Sequence, residues 1–136
     1  MNQNQAELIA LARMAQERAY APYSNYRVGA ALQTVSGKVY SGCNIENISY
    51  GATVCAERVA VFKAVSSGER CFTALAVVVS DDRPAYPCGI CRQVLFEFAP
   101  DLVLYLRGCR GTVETALLRD LLPRAFKPAL LTEDAE

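Results

Sequence analysis

The sequence predicts an α/β protein, a three-layer α/β/α domain built on a mixed five-stranded sheet. Three features of the chain lead to this prediction: an amphipathic helical segment near the start, a hairpin pattern after it, and helical segments that then alternate with strand-like ones. The length of 136 residues and the apolar content of 52% suit one domain, taken as residues 1–136.

The first half of the chain is predicted to form a helix, a hairpin and a second helix. Residues 6–20 carry apolar side chains at helical spacing, and an Ala-Pro pair ends the pattern. Strand-like runs cover 28–35 and 38–43, and the Ser-Gly pair between them is typical of a two-residue hairpin turn. The second helix is predicted over 56–65, where a Ser-Ser-Gly sequence ends it.

The second half is predicted to alternate between strands and a helix. Residues 74–79 form an apolar run with β-branched residues, the pattern of a strand buried on both faces. A helix is predicted over 89–98, a strand over 102–106 and a turn over 108–111. Residues 113–122 are expected to include one more short strand or helix.

Charge and hydropathy argue against several classes of protein. Lysine plus arginine equals aspartate plus glutamate, at 14 each. This balance disfavours a nucleic-acid partner, which usually needs a basic surface, although folding could gather scattered arginines. No apolar run approaches the roughly 18 residues of a membrane span, and the polar N-terminus lacks the layout of a signal peptide. Six cysteines without an export signal therefore predict a reducing compartment, the cytoplasm.

The chain contains no histidine, so its chemistry must come from other side chains. Two short motifs supply candidates: Cys55-Ala56-Glu57, and a Pro-Cys-x-x-Cys that contributes Cys88 and Cys91. Both motifs fall at predicted helix starts, where the helix dipole favours thiolates. Three thiolates would give zinc three ligands and leave the fourth position for water, as in catalytic zinc sites. Glu57 would then move protons between a substrate and that water, whose pKa the metal lowers.

These motifs allow two other interpretations. A CxxC pair can form a redox-active dithiol, here Cys88 and Cys91. Zinc can also hold an interaction module together, although such a module does not need the carboxylate of Glu57. The conjunction favours catalysis, because Cys-x-Glu followed by Pro-Cys-x-x-Cys matches the known signature of zinc deaminases in its three-cysteine form.

Longer stretches of the sequence resemble the cytidine deaminase family. The similar blocks are APYSNYRVGAA at 21–31, GCNIEN at 42–47, CAER at 55–58, PCGICRQ at 87–93 and LLPRAF at 121–126. The resemblance implies the small form of the enzyme, a homotetramer in which Cys55, Cys88 and Cys91 hold one zinc per chain. It also implies a cytidine-deaminase-like fold. The implied reaction is zinc-dependent hydrolysis of cytidine and 2′-deoxycytidine to uridine and 2′-deoxyuridine with release of ammonia, as in pyrimidine salvage.

The substrate implied by this resemblance is a free nucleoside. Asn44 and Glu46 correspond to residues that bind the ribose hydroxyls, and an amide beside a carboxylate suits a sugar, which offers both donors and acceptors. From residue type alone, both could equally be loop residues that face water. The alternative function is deamination of a modified cytosine nucleoside such as blasticidin S, and the Asn44-x-Glu46 pair favours an ordinary ribose.

The resemblance implies further roles around the base. The backbone N–H of Ala56 would donate to the pyrimidine carbonyl, and Tyr26 would line the pocket at a position where the family often has phenylalanine. Tyr50 and Phe126 correspond to residues that reach into the site of a neighbouring subunit. On residue type alone, core packing explains each aromatic side chain equally well.

Arg58 has a predicted role that follows from charge counting. Three thiolates leave zinc with a net charge of −1, which weakens its pull on water. A guanidinium that donates to the sulfurs would partly restore that pull. The alternative for Arg58 is a solvated helix residue. The remaining cysteines, Cys43, Cys71 and Cys109, are expected to have no ligand role.

Overall fold

The computed structural model describes residues 2–127, and a mixed five-stranded sheet lies at their centre, as predicted. The strands are β1 Val28–Thr34, β2 Val39–Cys43, β3 Phe72–Val79, β4 Val103–Arg107 and β5 Val113–Leu117. Their order across the sheet is β2-β1-β3-β4-β5. β1 is antiparallel to both of its neighbours, β3 and β4 are parallel, and β5 is antiparallel to β4.

Helices cover both faces of the sheet, so the predicted three layers are present. They are α1 Gln3–Gln16, α2 Ala56–Ser66, α3 Gly89–Phe98 and α4 Leu118–Leu121, with a 3₁₀ turn at Tyr50–Ala52. α1 packs on one face, whereas the other three helices pack on the opposite face. None of the helices within residues 2–127 has the length and apolar character needed to cross a membrane.

β3 is the central strand and is buried on both faces, as its apolar run predicts. Leu75, Val77 and Val79 pack in the larger cluster with α2 and α3, and the side chains between them pack against α1. Val28 of β1 pairs with Val79 at the end of β3. The apolar residues at this end of the sheet therefore face the starts of α2 and α3, where the two cysteine motifs lie.

The hairpin turn is longer than predicted. Thr34 donates its backbone N–H to the carbonyl of Lys38 at 2.9 Å, which leaves a three-residue loop of Val35, Ser36 and Gly37. Gly37 has a φ of 92°. A hairpin loop of three residues commonly ends in this left-handed conformation, which glycine adopts without steric cost.

The first helix ends earlier than predicted, at Gln16 instead of Tyr20. Tyr20 instead pairs with the segment after β2: its N–H donates to the Asn44 carbonyl at 2.9 Å, and its carbonyl accepts from Glu46 at 2.8 Å. These two bonds satisfy the backbone of Tyr20 outside the helix. The final segment contains both of the alternatives predicted for it, β5 followed by α4.

Gly42 on β2 allows α2 to approach the sheet closely. A Cβ at this position would lie 2.5 Å from the carbonyl oxygen of Ala56 and 2.6 Å from the nitrogen of Ala60. Both are backbone atoms, so relief requires a shift of the helix. We expect Gly42→Ala to lower the free energy of unfolding by about 3 kcal/mol, the upper end of overpacking costs. Urea unfolding measures this loss. Gly51→Ala is the control, because its Cβ meets no atom within 4 Å; equal stability of the two variants would contradict the expectation.

Candidate active site

A cavity of about 410 Å³ opens on the face of the sheet that carries α2 and α3. Val28, Val77 and Val79 give it an apolar floor, and polar groups from the loops and helix starts surround that floor. Its size and its mixture of apolar walls with a few polar groups are typical of small-molecule sites.

The structure brings the three predicted ligand cysteines together beside this cavity. Cys55 is the N-cap residue of α2, Cys88 is the N-cap residue of α3, and Cys91 lies in the first turn of α3. Their sulfur atoms all lie within 4.8 Å of one another, with 3.7 Å between Cys55 and Cys88 and 3.4 Å between Cys88 and Cys91. Sulfurs bound tetrahedrally to zinc would lie about 3.8 Å apart. The donor set and its spacing therefore fit a zinc ion.

The electrostatics of the cluster favour thiolate at Cys55. A hydrogen bond from Cys91 and another from Arg58 lower the pKa of Cys55 to about 5, although burial acts in the opposite direction. The same hydrogen bond raises the pKa of Cys91, and burial acts in the same direction. Two helix starts add to this preference, because free backbone N–H groups stabilise an anion there.

Arg58 lies against the cluster. Its Nη2 donates to the sulfur of Cys55 at 3.6 Å and to the carbonyl of Thr53 at 3.4 Å. Its Nε is buried and has no hydrogen-bond partner among residues 2–127. The side chain is therefore a partly buried contact of the Cys55 sulfur, not a solvated residue.

Glu57 has the environment that a proton carrier needs. The side chain lies in the first turn of α2, is 6% exposed and lines the cavity. Burial raises its pKa to about 7; Cys55 acts in the same direction and Arg58 opposes it. A carboxyl group whose pKa lies near neutrality can both accept and release a proton at that pH.

Asn44 and Glu46 line the cavity and also hold the loop that forms one of its walls. Asn44 accepts from the Val28 N–H at 2.9 Å and donates to the Tyr26 carbonyl at 2.7 Å. Glu46 accepts from the Ser24 hydroxyl and from the backbone N–H groups of residues 23 and 24, and these bonds lower its pKa. An amide has two donor hydrogens and a carboxylate about four acceptor sites, so both side chains keep capacity for a ligand.

The other predicted residues divide into two groups. Two of them line the cavity: Ala56, which is fully buried at the start of α2, and Tyr26. Burial raises the pKa of Tyr26. Tyr50 and Phe126 do not line it: they are 74% and 73% exposed. Tyr50 makes an edge-to-face contact with Tyr23, with ring centroids 5.8 Å apart.

Several residues that the sequence did not single out also line the cavity: Ser24, Thr53, Ala85 and Tyr86. Ser24 lies inside one of the blocks that carry the family resemblance, which was the available signal. Tyr86 had no local signal, because its hydroxyl donates to Glu114 of β5 at 2.6 Å, 28 residues away in the chain.

Known proteins are similar to this chain in sequence and in fold. Residues 2–107 match the family described as "Cytidine and deoxycytidylate deaminase zinc-binding region". The chain is 50% identical over 131 residues to a cytidine deaminase from Sporosarcina psychrophila, covering 96% of each chain. The crystal structure of a cytidine deaminase from Burkholderia pseudomallei is similar with a TM-score of 0.87 and 50% identity, over 93% of this chain and 100% of that one. A blasticidin-S deaminase from Bacillus cereus is more distant, at 32% identity over 111 residues, which are 76% of this chain and 79% of that protein.

The matched residues contain both cysteine motifs and Glu57. The similarity thus covers the cluster that could hold a metal ion as well as the sheet and helices that position it. The chain belongs to the family of cytidine and deoxycytidylate deaminases, which are zinc-binding enzymes.

Proposed function

We propose that this protein hydrolyses cytidine and 2′-deoxycytidine to uridine and 2′-deoxyuridine, with release of ammonia. The observation that carries the proposal is the juxtaposition of a buried carboxyl group, Glu57, with three thiols at the edge of one cavity. The relatives named as cytidine deaminases support the choice of base. Cys55, Cys88 and Cys91 would hold the zinc.

Zinc, when bound, supplies a Lewis acid that lowers the pKa of water toward neutrality. Glu57 accepts a proton from the attacking water and delivers it to N3 of the cytosine ring. The water oxygen forms a bond to C4, and Glu57 then carries the remaining proton of that oxygen to the amino group as the C4–N bond breaks. One water is consumed and one ammonia is released. A single carboxyl group can perform both transfers because its pKa lies near neutrality.

The cavity favours a nucleoside over a nucleotide. Asn44 and Glu46 would bind the ribose hydroxyls with their remaining donor and acceptor positions, and the buried N–H of Ala56 would donate to the pyrimidine carbonyl. Tyr26 adds an aromatic wall. Among the described residues that line the cavity, none is a lysine or arginine that could bind a 5′-phosphate.

Activity across a substrate panel tests this function. We expect the zinc-loaded protein to release ammonia from cytidine and deoxycytidine, with little release from cytosine, CMP, adenosine or blasticidin S. The ribose contacts of Asn44 and Glu46 explain the requirement for a sugar. Preferential turnover of blasticidin S would favour the alternative, and a protein that carries no zinc but exchanges disulfides would restore the dithiol interpretation.

We also infer a homotetramer whose sites are shared between subunits. Three large apolar side chains support it by their exposure: Ile48 at 81%, Tyr50 at 74% and Phe126 at 73%. Tyr50 and Phe126 lie outside the cavity of their own chain, and an interface would remove them from water. Light scattering at assay concentration tests the assembly, and an active monomer would exclude it.

We also propose that residues 1–136 form one domain that works in the cytoplasm. Every helix and strand described within residues 2–127 belongs to or packs near the same sheet. All six cysteines are free thiols. A reducing compartment would preserve the three that the metal requires.

Loss of the positive charge of Arg58 is expected to move the acidic limb of the pH–rate profile to higher pH. Arg58 lowers the pKa values of both Cys55 and Glu57. In Arg58→Gln the pKa of Glu57 therefore rises, and its proton-accepting form is reached only at higher pH. We expect kcat/KM to fall roughly 10-fold at neutral pH with zinc retained. The measurement is kcat/KM against pH, and the limb reports the coupled groups together.

Arg13→Gln is the matched control, because Arg13 is an exposed residue of α1 on the other face of the sheet. It should leave the profile unchanged. Normal activity and an unaltered profile in Arg58→Gln would show that Arg58 has no influence on the site.

A further inference from the structure

Arg92 follows the last ligand cysteine and makes two contacts that the proposed chemistry does not use. Its Nε donates to the carbonyl of Pro87 at 2.7 Å, and its Nη1 donates to the carbonyl of Leu121 at 2.9 Å. The side chain is partly buried on α3. One guanidinium thus connects the turn before Cys88 with the end of α4.

The first of these contacts controls the peptide that enters the ligand turn. The carbonyl of Pro87 belongs to the same planar peptide unit as the nitrogen of Cys88. Fixing that oxygen fixes the direction in which the chain enters the N-cap of α3. Cys88 and Cys91 both lie on this turn, so their separation of 3.4 Å depends on the same backbone.

The second contact joins Arg92 to α4, a helix that is held in the core. α4 is anchored by Leu118, whose side chain is fully buried and whose N–H donates to the Leu102 carbonyl at 3.0 Å. The Leu121 carbonyl therefore belongs to a short helix that is held in the core. A planar fork with donors in two fixed directions can connect both carbonyls, whereas a lysine ammonium on a flexible stem cannot reproduce that geometry.

We propose that Arg92 is a positioning residue that holds the Cys88 turn against α4 and so keeps two of the three thiols in the geometry that binds zinc. The inference rests on the proposed function, because it assigns these thiols to the metal. Within residues 2–127 the guanidinium of Arg92 hydrogen-bonds to neither sulfur and does not line the cavity, so it acts through the backbone. Groups that orient metal ligands commonly change metal affinity or activity 10–100-fold when they are removed.

Zinc release separates this role from a general contribution to stability. Zinc-loaded protein is mixed with a chromogenic chelator at a temperature where circular dichroism shows each variant to be fully folded. We expect Arg92→Met to release zinc at least about 10-fold faster than the parent. Arg92→Lys retains the charge but not the fork, and we expect its release rate to stay well above that of the parent.

Arg119→Met is the matched control. Arg119 lies on α4, the helix whose Leu121 carbonyl Arg92 contacts, and it pairs with Asp101 at 3.4 Å, but it is exposed and does not reach the ligand turn. Its release rate should equal that of the parent. If Arg92→Met does not fold, the rate of Arg92→Lys gives the result.

Three outcomes would overturn the inference: unchanged zinc release in both Arg92 variants, full restoration of slow release by lysine, or acceleration that occurs only as the protein unfolds. The second would show that charge, not the fork, is responsible. A parent protein that binds no zinc would overturn the proposed metal site itself, and the inference with it. Equal rates of zinc release from the parent and from both Arg92 variants would overturn this inference and leave the proposed metal site intact.

Discussion

Glu57→Gln is expected to lose turnover by roughly 10²–10⁴-fold while it keeps both zinc and the fold. Glutamine has nearly the same shape as glutamate, so it fills the same buried position in the first turn of α2. It cannot accept a proton from water or return one to the departing amine. The measurement is kcat for cytidine on protein whose zinc content has been determined.

The fold should tolerate this substitution, because burial raises the pKa of Glu57 to about 7. Because the pKa of Glu57 is higher in the folded than in the unfolded protein, the folded state loses stability as pH rises from the ordinary glutamate pKa to about 7. A neutral amide has no such penalty, so stability at pH 8 should not fall.

The control for this variant is Glu97→Gln, which removes an exposed carboxylate from α3. We expect normal turnover from it. Near-normal kcat in zinc-loaded Glu57→Gln would assign the proton transfers to another group.

The sequence predicted most elements of the fold because their periodicity is local. The helix predicted over 89–98 has the same bounds in the structure, and the apolar run at 74–79 forms the central strand β3. The error at the end of α1 arose because a distant segment supplies the backbone partner of Tyr20. Tyr20 leaves α1 because residues 44–46 offer hydrogen bonds to it, and no pattern within α1 signals that.

The candidate site shows the same division between local and distant information. Cys55, Glu57 and the two cysteines of the CxxC motif lie in contiguous blocks that carry a known signature, so the sequence alone predicts them as candidates for the site. Tyr86 and Arg92 obtain their surroundings from partners 28 and 29 residues away. Such contacts depend on how β5 and α4 pack, which single-sequence patterns do not contain.

Cys88→Ala is expected to reduce zinc from one per chain to a trace and to abolish deamination. The described residues offer the metal three thiolate ligands, the number of protein ligands typical of catalytic zinc sites. Without Cys88 two thiols remain, which are too few for such a site. Cys88 is the informative choice because its side chain is exposed, whereas Cys91 is fully buried and its loss would also disturb the core. Metal analysis of purified protein measures the stoichiometry.

Thermal unfolding with and without added zinc gives a second measure of Cys88→Ala that does not depend on activity. A ligand that binds only the folded state stabilises it by about 2.7 kcal/mol when its free concentration is a hundred times Kd. Zinc should therefore raise the Tm of the metal-stripped parent but leave that of Cys88→Ala unchanged.

Cys109→Ala is the matched control, since Cys109 is an exposed thiol that donates to Asp82 and lies outside the cluster. It should bind zinc and respond to it as the parent does. Equal zinc content in Cys88→Ala and Cys109→Ala would mean that the metal is held elsewhere, because only one of these two exposed thiols lies within 4.8 Å of the other ligand sulfurs.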